Sequence, residues 1–303
     1  MATLYTQQDS NVRRTWLLMG LFLAVVVALG YFVSWYYQSS IILYVALIFA
    51  VVMNIAGYWY SDKISLATAG ATPASREQYP ELFRVAENLA ITAGLPMPAL
   101  YIIDDPAPNA FATGRNKQHA AIAVTSGLMS MMNENELSGV VAHELSHIGN
   151  RDTLLETVVV VLVGFIAIAA QLFTRSLWLG GNKRGNSVGG EGGGQLQIVI
   201  MVIGLVFTVL SPIIATLIQL AISRKREFLA DADGALLTRY PEGLASALAK
   251  IEAYGTPLRH ASNATAHLYI SNPFGAEAAK GIAKLFMTHP PIEERIALLR
   301  RQA

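Results

Sequence analysis

The stretch VVAHELSHIGNRD, residues 140–152, decides how this chain is read. His143 and His147 stand four apart, with Glu144 directly after the first. Four positions are slightly more than one helical turn, so both imidazoles leave one face of a helix and can converge on a single tetrahedral cation. Glu144 can reach a water at that cation without being a ligand, which makes HExxH on a helix a zinc-site pattern with its own general base. The plain alternative is an amphipathic helix that happens to contain two histidines. A third ligand elsewhere in the chain decides between them.

Working outward, Asn133 with Glu136 three residues later has the form of a capping box for the same helix. Upstream, Ser75 to Ala93 places Tyr79, Leu82, Ala86 and Leu89 at helical spacing, and Gly94 and Pro96 stop it. ALYII (99–103) suits a short strand, and NAFATG with HAAIAV suits a hairpin. Downstream, SRKREFLADADGA begins at Ser223 and sets Glu227 and Asp231 four apart on a helix. A carboxylate ligand, with a second carboxylate steadying a ligating imidazole, needs that arrangement, although such pairs are also common on solvated helices. Asp233, two positions from Asp231, points elsewhere. His119, His260 and His267 have no partners at ligand spacing and read as surface or loop residues.

The composition points to a bilayer. Of 303 residues 53% are apolar and 14% charged, against roughly 25% charged in soluble domains. A net charge of +1 gives no case for a nucleic-acid partner. The absence of cysteine removes disulfides and thiolate ligands, so zinc has to sit among His, Glu and Asp.

Trp16 to Tyr36 and Ile41 to Tyr60 are apolar runs of spanning length, separated by a short uncharged connection. The first run is too long for a signal peptide and lacks a small-residue cleavage site, so it reads as a retained anchor. Leu154 to Phe173 and Leu196 to Ile222, the latter with Pro212, form a second pair around a glycine-rich loop at 180–194. This pair spans, or folds back as a re-entrant or protein-buried hairpin. His143 and Glu227 can share a zinc only if the chain between them crosses the membrane an even number of times. Two apolar runs satisfy that parity. Arg13, Arg14, Lys63 and the 224–226 cluster then share one side, the cytoplasm by the positive-inside rule.

Four segments follow: a transmembrane hairpin at 1–60, a first catalytic half at 61–153, a second hairpin at 154–222 and a second catalytic half at 223–303. PNAFATG, VVAHELSHIGNRD, SRKREFLADADGA, LYISNPF and THPPIEERI, in that order, resemble the HtpX family of membrane zinc metallopeptidases over nearly the whole chain. The resemblance implies a mostly helical α+β, gluzincin-like domain with a small antiparallel sheet and two transmembrane hairpins. It implies one Zn2+ per chain held by His143, His147 and Glu227, with Glu144 as general base and Asp231 behind a ligand histidine. It also implies that Asn109, Ala110 and Phe111 bind substrate backbone and that His289 helps to stabilise the oxyanion, although His289 before Pro290 and Pro291 also suits a helix cap. The expected function is quality-control proteolysis of misfolded membrane proteins at the cytoplasmic face of the inner membrane. The alternatives are a peptidase for prenylated CaaX tails and a non-catalytic scaffold fixed by zinc.

Overall fold

The computed structural model describes residues 4–162, 224–259, 261–262, 265–275 and 290–302. Expectations for the glycine-rich loop, for the fourth apolar run and for His260 and His289 lie outside the described residues.

Helices α1 (Leu4–Tyr37) and α2 (Ser40–Trp59) form a hairpin. Gln38 makes the turn with φ of 51°. Gly30 permits the close approach of the two helices, since a Cβ there would lie 2.3 Å from Ala46 Cβ. Both contain windows apolar enough to cross a bilayer, with mean hydropathy 2.4 and 2.3. α1 starts twelve residues ahead of the expected span, and this extension continues as regular helix into the polar half of the molecule.

After the short α3 (Ser61–Thr68), β1 (Ala71–Pro73) leads to α4 (Pro80–Ala93). Pro80 sits in its first turn, where a missing N–H costs nothing, so the helix starts later than the expected Ser75. Gly94 ends it in the left-handed region. Strands β2 (Ala99–Ile103), β3 (Ala110–Gly114) and β4 (Ala120–Thr125) complete a sheet of order β1-β2-β4-β3. The sheet is mixed, which corrects the antiparallel expectation: β2 pairs with β4 in parallel. The reason is topological. The chain passes from β2 to the far edge, makes β3, and returns as β4 between the two.

Both sheet faces are buried, and alternation divides β4 between two cores. Ala120, Ile122 and Val124 belong to the core shared with α4 and the helices that carry the site, whereas Ala121 and Ala123 belong to a second core that also contains Leu66 and Ala69 after α2, Leu154 and Leu155 after the HELSH stretch, and Leu18, Met19 and Phe22 of α1. α5 (Ser126–Met131) precedes α6 (Glu134–Asn150), which opens on the full capping box between Asn133 and Glu136. Arg151, with φ of 57°, breaks α6 before a further helix, α7, begins at residue 152 and runs to the last described position, 162. α8 (Arg224–Thr238), α9 (Pro241–Tyr254) and α10 (Ile292–Arg300) pack around α6.

Candidate metal centre

α6 is buried along most of its length and projects His143, Glu144 and His147 inward. α8 crosses it closely at Gly234, where an added Cβ would lie 3.1 Å from the His143 backbone nitrogen. That approach delivers Glu227 and Asp231 to the histidines. His143 Nε2 and His147 Nε2 are 3.2 Å apart, and the Glu227 carboxylate oxygens lie 3.9 Å from the first and 3.7 Å from the second. Ligand atoms around a tetrahedral zinc, with bonds of about 2.0–2.1 Å, stand roughly 3.3 Å from one another, so these three side chains fit one ion with small adjustments. Among the described residues, this is the group of His, Asp and Glu side chains whose donor atoms all lie within 4.8 Å.

Each imidazole is held from behind. His143 Nδ1 is 3.0 Å from Asp231 Oδ1, and His147 Nδ1 is 3.0 Å from Asp152 Oδ2. A carboxylate on Nδ1 fixes the proton there and leaves the Nε2 lone pair facing the partner ligands. Arg295 of α10, fully buried, donates to both oxygens of Asp231 at 2.8 and 2.7 Å and to the Ile270 carbonyl at 2.9 Å. Burial alone would raise the Asp231 carboxyl, but this guanidinium brings it down to about 2.

The two imidazoles are too close to be cationic together. Burial holds His143 below its ordinary range. For His147, burial acts in the same direction, but the Asp152 hydrogen bond and the negative charge of Glu227 and its neighbours outweigh it and raise the imidazole to about 10. The opposite directions of the two shifts favour a proton on His147 over one on His143. The Glu144 carboxyl is pushed up to about 8 by burial, with His147 opposing and Glu227 reinforcing the shift. Glu144 Oε1 is buried with no hydrogen-bond partner among the described residues. A buried carboxylate oxygen left unpaired beside three candidate ligands suits a group that handles a proton rather than one that only supports the fold.

The remaining expected residues fall as follows. Asp233 stays out, bonded to Asn150 Nδ2 at 3.1 Å. Asn109, Ala110 and Phe111 are at the sheet edge, as expected of a substrate strand, but the edge there is occupied by the chain itself. The Ile270 N–H donates to the Ala110 carbonyl at 2.9 Å, Asn109 Nδ2 donates to the Ser271 carbonyl at 3.1 Å, and Tyr269 meets the Phe111 ring edge-on at 5.1 Å. His267 is not a surface residue: it is buried, with Nε2 3.0 Å from the Glu156 carbonyl. Asp152 and Arg295 were not assigned roles from the sequence. Asp152 lies five positions after His147 in the same HELSHIGNRD stretch, and that proximity is the signal that could have identified it.

The sequence profile of Peptidase family M48 matches residues 76–303. A Protease HtpX homolog from Caldanaerobacter subterraneus subsp. tengcongensis is 48% identical over 302 residues, covering 98% of this chain and 97% of its own. One from Thermoanaerobacter pseudethanolicus is 49% identical over 300 residues, with the same coverage of 98% and 97%. Among solved structures, Ste24p from S. mikatae aligns with a TM-score of 0.51 at 20% identity, over 93% of this chain and 62% of that one. This last likeness is one of fold.

Proposed function

Since the chain belongs to peptidase family M48, we infer that it is a zinc endopeptidase of the membrane that clips exposed segments of misfolded or damaged membrane proteins. The observation that carries the chemistry is the buried Glu144 Oε1, without a hydrogen-bond partner among the described residues, in the helix turn that also carries His143 and His147. Two imidazoles and a carboxylate, without thiolate, are a donor set that suits zinc and leaves a coordination position open, as in catalytic rather than structural sites. Zinc, when bound, supplies Lewis-acid polarisation of the attacking water and the scissile carbonyl.

The chain's own residues do the rest. Beside a divalent cation the Glu144 carboxylate is ionised at neutral pH, so it accepts a proton from the attacking water and passes it to the leaving amine. Asp231 and Asp152 keep both imidazoles in the ligating tautomer. His289 is assigned to the oxyanion by resemblance. Substrate lies as an added strand along β3, held through its backbone and therefore with little sequence demand. Residues 269–271 have to yield at Ala110 for that strand to pair along the whole edge.

Arg13 and Arg14 precede the apolar part of α1 on the side where α1 meets the site, which supports a cytoplasmic catalytic domain at the inner membrane. A scaffold held together by zinc has no use for an uncoordinated carboxylate in the position of Glu144. The test is proteolysis of casein by the purified zinc-loaded protein in detergent. Wild type is expected to cleave it, and Glu144→Gln to retain the metal with no turnover. Cleavage that survives Glu144→Gln removes the assigned base, and preference for a farnesylated peptide over its unlipidated form favours the prenyl-tail reading.

A further inference from the structure

The HELSH helix ends against the first membrane helix. The last carbonyls of a helix have no partner within it and need outside donors. Here the Gly149 carbonyl receives Gln8 Nε2 at 2.8 Å and the Asn150 carbonyl receives Asn11 Nδ2 at 3.1 Å, both from α1. Asn11 Nδ2 also donates to Asp152 Oδ1 at 2.6 Å, and the other oxygen of that carboxylate holds His147 Nδ1. Asn11 Oδ1 accepts from Arg226 Nη1 at 3.4 Å, next in sequence to Glu227. One buried amide therefore touches the holder of one candidate ligand and the neighbour of another.

The local charge balance explains why an amide is needed. Arg226 is buried, its Nε is 3.7 Å from Asp152 Oδ1, and neither Nε nor Nη2 has a hydrogen-bond partner among the described residues. A guanidinium and a carboxylate this close in a dry site attract strongly. Asn11 occupies both: it donates to the carboxylate and accepts from the guanidinium. Removing the amide leaves Arg226, whose Nη2 is also 3.9 Å from Glu156 Oε1, to compete with His147 for the Asp152 carboxylate.

We propose that Asn11 is a positioning residue of the metal centre, orienting His147 through Asp152, so that the first membrane helix is part of the catalytic apparatus as well as an anchor. This rests on the metallopeptidase reading. The carboxylate behind a ligating histidine affects metal affinity by about 10–100-fold when lost, and Asn11 acts one step further back, so its effect belongs at the lower end of that range.

The test is cobalt(II) binding to the full chain in detergent, read by chelator competition and by the visible d–d spectrum, which reports ligand geometry. Asn11→Ala is expected to weaken cobalt about tenfold and to shift the spectrum. Arg13→Ala, at an exposed position two residues on, is expected to change neither. In an Asp152→Asn background, Asn11→Ala should add little, because both act on the same imidazole. If Asn11→Ala does not accumulate, Asn11→Asp keeps the shape, removes the donor and is expected to weaken cobalt at least as much. Wild-type affinity and spectrum in Asn11→Ala, or in Asn11→Asp where that variant stands in for it, overturn the proposal and leave the metallopeptidase reading intact, as do fully additive losses with Asp152→Asn. A wild-type protein that binds no cobalt overturns both.

Discussion

The two helices of the amino-terminal hairpin are alike in hydropathy and unlike in everything else. α2 buries only Ala50 and Gly57 and turns Ile41, Tyr44, Ile48, Val52 and Ile55 outward. α1 buries Asn11, Thr15, Leu18, Met19 and Phe22, a stripe at helical spacing that begins polar and becomes apolar. The difference teaches that apolar length identifies a span but not its duty. α2 is exposed along most of its length apart from the side that packs on α1, whereas α1 is half candidate membrane span and half core helix. The polar end of its stripe is the part that reaches the metal centre.

The largest test of this contrast is at the centre that α1 supports. His147→Ala and Glu227→Ala should each lose bound zinc and all proteolysis together, measured by metal analysis beside casein cleavage. Glu227→Ala retaining stoichiometric zinc would detach α8 from the site. Next in size is Arg295→Met, which strands the buried Asp231 carboxylate. Breaking a buried pair in this way costs about 3–5 kcal/mol, so a lower unfolding midpoint in denaturant is expected together with weaker metal binding.

A matched pair of truncations addresses the two helices directly. Leu18→Ala, in a buried position on α1, should destabilise by about 2–5 kcal/mol. Ile48→Ala, 63% exposed on α2, should fall within about 0.5 kcal/mol. Equal effects in thermal unfolding would erase the distinction drawn above. The smallest expected effect is a slope. Metal-free His147 and Glu144 both carry protons at neutral pH, having been raised to about 10 and about 8. A bound dication displaces both, so affinity rises with pH, and the Glu144 contribution levels off above about 8. Glu144→Gln leaves one proton to be released, so its affinity should climb by about tenfold per pH unit below pH 8, with wild type climbing more steeply.

Local features of the chain were legible where a short-range rule governs them. The capping box at Asn133 and Glu136, the stop at Gly94, the β3–β4 hairpin and the shared face of His143 and His147 all depend on residues within a few positions of one another. The parallel pairing of β2 with β4 was not legible, because it follows from where β3 is placed rather than from any strand's own pattern. Arg295 lies in IEERIALLRR, where a charge at helical spacing reads as a solvated face. Only the packing of α10 onto α8 turns it inward to Asp231. Asn11 carried no signal at all, since its partners are 139 and 141 residues away.

α1 runs without interruption from Leu4 to Tyr37, and this sets a height. Asn11 precedes Trp16, the first residue of the apolar run, by five positions, a rise of about 8 Å along a helix axis. One continuous helix carries the candidate span at one end and, at the other, the amide that bonds the Asp152 carboxylate, so it acts as a ruler between the two. The candidate metal centre is thereby tied at a fixed distance from the start of the candidate membrane span.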